Sequence, residues 1–296
     1  MKKAVIDIGT NTFHLIIAEI SDNRINRIIF RESRYIRIAK DGYNPISEAS
    51  IQRGLECLTD YMVLIEAHES PPVEIIATQA LRSASNQTDI LQRMQEVTGI
   101  TVTIISGEQE AKLVYNGCLA AIPTLSNDFL IIDIGGGSVE FILANNTGIQ
   151  FLSSIKIGVQ YLYSMFNPSD PITDADIQAI YQYIESQSPH LQSFLDQHKP
   201  KVIIGTSGSF EILANLVNAE FINNKYANIP VNDFYHCFQQ MIHTTLSERM
   251  ASPLINPTRA ELLICGLLVM KYWIDKLQPA QLLVSSYALR EGALID

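Results

Sequence analysis

The chain has 296 residues, 47% of them hydrophobic and 18% charged, with a formal net charge of −10. That length allows one large domain or two of ordinary size, with a sizeable core. The acidic balance argues against non-specific nucleic-acid binding, so a polyanionic ligand would need a local basic site.

The start, "MKKAVIDIGTNTFHLII", has the outline of a secretory signal, but Asp7, Asn11 and His14 interrupt its apolar stretch and argue against one. Residues 5–18 read as a strand, a tight polar turn and a second strand, and "RINRIIF" continues as strand. The stretch 24–40 holds Arg24, Arg27, Arg31, Arg34, Arg37 and Lys40 against Glu32. It reads either as a local polyanion site or as a solvated strand face.

Ile51, Leu55, Leu58, Met62 and Ile65 share one stripe and predict a helix over 47–67. Leu91, Met94 and Val97 predict another over 88–98, with Gly99 as its stop and Asn86 as a cap or nearly so. Strands are expected at 73–78 and 102–106, and a helix at 108–121. "AAIPTLSND" (120–128) is the expected boundary, dividing the chain into domains 1–123 and 124–296, with the last helix able to dock on the first.

The second half opens with strand–turn–strand at 131–144, followed by "IQFLSSIKI". Thr173 and Asp176 form a capping-box-like pair before a helix over 173–187. "KVIIG" (201–205) is a short strand running into "TSGSFEILANL". A long helix is expected over 257–277 with Pro257 in its first turn, then a strand at 281–286 and a helix at 287–295. The run "LLICGLLVM" is too short for a bilayer span of about 20 residues and reads as a buried helix, so no membrane partner is expected. Cys57, Cys118, Cys237 and Cys265 lie far apart without a CxxC pair and predict reduced, buried thiols in a cytoplasmic protein.

An internal repeat organises these elements. Setting "VIDIGTNTFHLIIA" over "IIDIGGGSVEFILA" aligns Asp7 with Asp133, Gly9 with Gly135, Ile16 with Ile142 and Ala18 with Ala144. Two β-rich copies, each followed by helices, predict a duplicated α/β protein with a cleft between the halves. The glycine loop lacks the helix start of a dinucleotide fingerprint and the lysine of a Walker A loop. A hairpin turn of this kind can present successive N–H groups as a nest for phosphate oxygens.

The segments "DIGTNTFHL", "ATQALRSASN", "SGEQEA", "DIGGGSVEF", "GTSGSFEIL" and "YALREGAL" resemble, in order, the exopolyphosphatase / guanosine pentaphosphate phosphatase family of the sugar kinase/Hsp70/actin superfamily. The resemblance covers essentially the whole chain and corresponds to the short, two-domain form. It implies α/β architecture of two ribonuclease-H-like (actin-like ATPase) domains around a cleft. It also implies Mg²⁺-dependent release of terminal phosphate from inorganic polyphosphate, guanosine pentaphosphate, or both. Rival readings are an ATP-dependent small-molecule kinase or ATPase of the same superfamily, and a non-catalytic sensor of the same anions. A homodimer is compatible with the resemblance.

By residue type alone, Glu110 reads as a solvated helix-start carboxylate. The resemblance makes it the base that accepts a proton from attacking water. It likewise implies Asp7, Asp133 and Glu140 as carboxylates holding Mg²⁺ or its water; one or two carboxylates plus substrate phosphate suffice for that ion. Glu140 shares a strand face with Ser138 and Ile142. The implied phosphate cradle comprises Gly9, Thr10, Asn11 and Thr12; Gly135, Gly136, Gly137 and Ser138; and Thr206, Ser207, Gly208 and Ser209 at a helix start, after Gly205. Arg82 matches a phosphate-binding arginine, suited to bidentate contact. Arg259 and Arg290 fall in segments similar to family motifs, Arg290 reading as an interdomain ion-pair partner more than a substrate contact, and His14 reads as a satisfied strand histidine or a group that reaches substrate. Val139 departs from the threonine common in the family and removes one hydroxyl beside the cradle.

Overall fold

The computed structural model describes residues 1–122, 125, 128–145 and 147–296. They form two compact units, Met1–Ala120 with Ala288–Asp296, and Ala121–Tyr287. The expected boundary segment falls partly on residues 123, 124, 126 and 127, outside the described residues.

The first unit runs β1 (Lys2–Ile8), β2 (Thr12–Ser21), β3 (Arg24–Tyr35), α1 (Glu48–Ala67), β4 (Val73–Ala77), α2 (Gln79–Ser83), α3 (Gln87–Thr98), β5 (Val102–Ile104) and α4 (Gly107–Ala121). The second continues with β6 (Phe129–Ile134), β7 (Val139–Asn145), β8 (Gly148–Ile155), α5 (Val159–Phe166), α6 (Asp174–Gln187), α7 (Pro189–His198), β9 (Val202–Thr206) and α8 (Ser207–Leu216). It ends with β10 (Tyr226–Ile229), α9 (Val231–Met241), α10 (Leu246–Ala251), α11 (Leu263–Leu277) and β11 (Gln281–Ser285). The C-terminal helix α12 (Leu289–Ile295) belongs to the first unit.

The first sheet has the order β3-β2-β1-β4-β5, with β1–β3 antiparallel and β4 and β5 added in parallel. The second repeats it as β8-β7-β6-β9-β11 and adds β10 antiparallel at the edge. This is the doubled α/β unit expected from the repeat, with the ribonuclease-H-like architecture that the family resemblance implies. Apolar alternation explains the layering. Ile6, Ile8, Phe13 and Leu15 point to the core shared with Ile51, Leu58 and Ile90 of the α1 and α3 helices. Ile132, Val139 and Phe141 point to a second core with Phe210, Leu267 and Trp273. Val139 therefore lies on the core face of its strand, fully buried, opposite the face that carries Glu140.

Local signals account for several helix ends. Ser47 caps α1 by accepting from Ser50 N, Gly99 ends α3 in the left-handed region at φ 69°, and Thr173 and Asp176 form a full capping box on α6. Asn86 does not cap α3 through its side chain; its amide instead exchanges two hydrogen bonds with the backbone of Ile46, at 3.1 and 2.9 Å. The expected helix over 257–277 is split. A 3₁₀ turn covers Pro257–Arg259, and α11 begins only at Leu263. The buried Arg249 donates through Nε to the Ala260 carbonyl at 3.0 Å, taking the acceptor that a continuous helix would offer to residue 264.

The basic stretch on β3 is largely spent in ion pairs. Arg27 meets Glu19 at 2.9 Å, Arg31 meets Glu291 at 2.7 Å, and Arg34 meets Glu32 at 2.6 Å and also Asp60. Glu291 is fully buried and also accepts from Arg290 Nε at 2.9 Å and from Ala288 N at 2.8 Å. These contacts tie α12 to the sheet of its own unit.

All four cysteines are buried, and no disulfide joins them. Burial pushes the thiols of Cys57 and Cys237 up to about 11 and that of Cys265 up to about 12. A raised thiol pKa keeps the thiolate scarce until the pH approaches that value. At pH 8 the folded chain should resist a disulfide-exchange reagent more than 100-fold longer than the unfolded chain, which should titrate four thiols. Rapid labelling of any one without unfolding would contradict this packing. No helix among the described residues is long and apolar enough to cross a membrane.

Candidate active site

In each unit the site begins at the hairpin turn of the repeated motif. Gly9 N donates to Thr12 O at 3.1 Å, and Gly135 N donates to Ser138 O at 3.0 Å. A Cβ at Gly9 would stand 2.8 Å from Thr12 O, and one at Gly135 would stand 3.0 Å from Ser138 O. Close approach of backbone thus requires glycine at the first of these positions and leaves only a tight fit for a side chain at the second.

Neighbouring segments aim the donors of each turn. The carbonyls of Gly135, Gly136 and Gly137 accept from the first N–H groups of α5 and its cap: Val159 N to Gly135 O at 3.0 Å, Gln160 N to Gly136 O at 2.9 Å, and Gly158 N to Gly137 O at 3.3 Å. A planar trans peptide points its N–H opposite its C=O. The N–H groups of Gly136, Gly137 and Ser138 are therefore turned together away from α5, as an anion-binding nest requires. In the first unit, Thr10 O accepts from Ile38 N at 3.0 Å and Asn11 O from Ile36 N and Arg37 N at 2.8 Å. This turns the N–H groups of Asn11 and Thr12 away from that segment in the same manner. Because Val139 points to the core, loss of a hydroxyl there does not alter the cradle's backbone donors.

The third loop joins β9 to α8. Ser207 adopts φ 68°, a left-handed conformation costly for a residue with a Cβ. Thr206 is buried, and its hydroxyl donates to the backbone oxygens of Ser285 and Tyr287 at 3.2 Å. A Cβ on Gly208 would lie 2.6 Å from Arg259 Nη1, so the arginine rests directly on this loop. Arg259 Nη1 also meets Glu211 Oε2 at 3.2 Å. The Ser209 side chain packs against Gly266 of α11.

Sheet register sets the carboxylates. In the second unit Asp133 faces Thr206 on one side and Glu140 on the other, and Glu140 faces Ser154. These four share one sheet face. Asp133 is 6% exposed and Glu140 is 1% exposed. Two buried carboxylates directly across a ladder repel unless positive charge or donors offset them. Glu140 Oε1 accepts from Ser138 Oγ at 2.7 Å and from Ser154 Oγ at 2.6 Å. The Ser138 hydroxyl is thus committed to Glu140, which leaves its N–H as its contribution to the cradle. In the first unit Asp7 faces His14, and His14 faces Ser33. His14 Nδ1 lies 2.7 Å from Ser33 Oγ and 2.6 Å from Arg290 Nη1. Because a guanidinium only donates, Nδ1 accepts and the ring proton sits on Nε2.

Among the described residues no three or more His, Cys, Asp or Glu side chains gather as a metal cluster. The first unit holds Asp7 and the buried Asn11 Oδ1; the second holds two hard-oxygen donors paired across a ladder, Asp133 and Glu140. That donor set fits an ion such as Mg²⁺ that takes one or two carboxylates and completes its shell with water and phosphate.

Glu110 stands in the first turn of α4 and is 7% exposed. Its Oε2 accepts from Arg82 Nη1 at 3.2 Å and Nη2 at 3.3 Å. Arg82 is itself held by Ile105 O and by Gln79 Oε1, each at 2.6 Å. Glu110 and Arg82, distant in sequence, thus form one fixed pair. Ser154 was not singled out in the sequence, where "IQFLSSIKI" reads only as strand; its place opposite Glu140 depends on strand register.

Comparison with known proteins places the chain by family and fold. Residues 16–296 match the Ppx/GppA phosphatase family. The chain is similar to the crystal structure of an exopolyphosphatase from Cytophaga hutchinsonii ATCC 33406, with 29% identity, 99% of this chain and 96% of that one covered, and a TM-score of 0.94. It is also similar to the Aquifex aeolicus PPX-GPPA enzyme, with 25% identity, 100% and 99% coverage, and a TM-score of 0.80. The repeated hairpin cradle, the doubled strand order and the match over nearly the whole length lead to one assignment: the chain belongs to the Ppx/GppA phosphatase family.

Proposed function

We propose that this chain is a Mg²⁺-dependent phosphohydrolase that releases terminal orthophosphate from inorganic polyphosphate, guanosine pentaphosphate, or both. The observation that carries the proposal is the cradle of Gly136, Gly137 and Ser138, whose N–H groups are turned together by the bonds their neighbouring carbonyls make to α5. The likeness to an exopolyphosphatase at 29% identity over nearly both whole chains supports polyphosphate as a substrate.

In this reading the cradle and the loop at Thr206, Ser207, Gly208 and Ser209 bind phosphate oxygens, and the backbone of Gly9, Thr10, Asn11 and Thr12 in the first unit has the same role. Arg82 orients Glu110 and contacts phosphate. The oxygen of a water bonds to the terminal phosphorus as the bond from phosphorus to the bridging oxygen breaks. Glu110 takes a proton of that water, and the bridging oxygen leaves with the electron pair as the new terminal oxygen of the shortened anion. Asp133 and Glu140 would hold Mg²⁺ or its water, and Asp7 would be the corresponding carboxylate of the first unit; when bound, the ion would offset charge developing on the phosphoryl oxygens.

The test is orthophosphate release by the purified chain from long-chain polyphosphate, guanosine pentaphosphate and ATP, each with Mg²⁺ or with a chelator. Release from either of the first two, abolished by chelation, is expected. Release from ATP alone would replace this reading with an ATPase, and tight binding without release would replace it with a sensor.

A further inference from the structure

We infer that Ser154 is a positioning residue for the Glu140 carboxylate. The inference rests on the reading that Glu140 holds a divalent cation or its water.

Ser154 stands on β8, one strand beyond Glu140 and in register with it. Its hydroxyl donates to Glu140 Oε1 at 2.6 Å, in the range of a charge-assisted bond. Ser138 donates to the same oxygen at 2.7 Å from the turn on the other side. Two donors from different segments, meeting on one oxygen, stop the carboxylate from rotating about its terminal bond. That restraint has a purpose here. Asp133 stands directly opposite Glu140, and two like charges across a ladder would otherwise swing apart. Groups that orient a metal-binding carboxylate in this way commonly govern affinity for the ion.

A second, independent observation comes from the other unit. There the aspartate, the polar group on the second strand and the serine on the third stand at the same register positions, as Asp7, His14 and Ser33. Ser33 Oγ lies 2.7 Å from His14 Nδ1. Both units thus use a third-strand serine to hold a second-strand polar group beside the motif aspartate. A serine serving only as strand filler would not be expected to recur with the same contact.

The test uses the full chain with Mn²⁺ as the probe, titrated by electron paramagnetic resonance, alongside the Mg²⁺ dependence of phosphate release. Ser154→Ala should raise the Mn²⁺ dissociation constant and the half-saturating Mg²⁺ concentration by about 10–100-fold, with melting shifted by only a few degrees. Ser154→Thr, which keeps the hydroxyl, should recover to within about threefold of wild type. Ser154→Cys keeps the volume with a weak donor and should show the loss even if the alanine variant folds poorly. Wild-type Mn²⁺ binding and Mg²⁺ dependence in Ser154→Ala, with both lost in Glu140→Gln, would overturn the role of Ser154 alone. Unchanged Mn²⁺ binding in Glu140→Gln would overturn the underlying reading as well.

Discussion

Glu110→Gln should lower the turnover of phosphate release by roughly 10²–10⁴-fold while leaving the melting temperature close to wild type. Glutamine preserves the shape of the side chain and still offers an oxygen to Arg82, which approaches Glu110 at 3.2 and 3.3 Å. What it loses is the ability to take a proton from water. The loss should appear in kcat with KM little changed, because proton acceptance belongs to the transition state and not to substrate binding. Steady-state phosphate release and a thermal melt on the same preparation check both halves. Near-normal turnover would remove Glu110 from the role of base, and a collapsed melt would reassign it to structure.

Gly292→Ala should destabilise the chain by about 3 kcal/mol or more, at the upper end of what overpacking costs. A Cβ at Gly292 would stand 1.9 Å from the backbone oxygen of Leu113, and one at Gly117 would stand 2.0 Å from that of Ala288. Neither obstacle is a side chain that can swing aside. The two glycines let α4 and α12 of the first unit meet backbone to backbone. The direction of the effect is diagnostic, because alanine for glycine inside a helix would otherwise stabilise by about 1 kcal/mol. A fall in melting temperature of roughly 6 °C or more is expected. A rise would show that helix propensity outweighs the contact. Activity should fall as well, since α4 carries Glu110 one turn before Leu113, and a displacement near 1 Å can cost about 100-fold in rate.

The elements that were legible in the sequence are those decided by neighbours. The Thr173 and Asp176 box and the left-handed Gly99 close over a few residues, so their patterns carry their own outcome. The repeat of "DIG" with its following strand foretold two hairpins, and the bonds of Gly9 to Thr12 and Gly135 to Ser138 repeat in the same way. Apolar alternation likewise placed Glu140 on the face of Ser138 and Ile142.

Where a distant side chain intervenes, the local pattern misleads. Pro257 and the apolar run after it suggest an uninterrupted helix, yet Arg249 takes the Ala260 carbonyl and the helix starts later. Asn86 stands at the N-cap position of α3 as its residue type suggests, but Ile46 and not the helix engages both ends of its amide. The arginines of β3 read equally as an anion site or as a solvated strand face, and only the structure shows Glu19, Glu32, Asp60 and Glu291 paired with three of them.

The sequence alone carried the family resemblance, through six motifs in order, and the doubled strand–turn–strand unit, through a short-range pattern that survives without coordinates. Only the tertiary structure decided what each group touches: Arg82 on Glu110, Ser154 on Glu140, Arg290 on His14, and α5 behind the glycine carbonyls. Strand register and the docking of helices on sheets are set by packing over the whole unit, and one residue of slip would turn every such side chain to the other face.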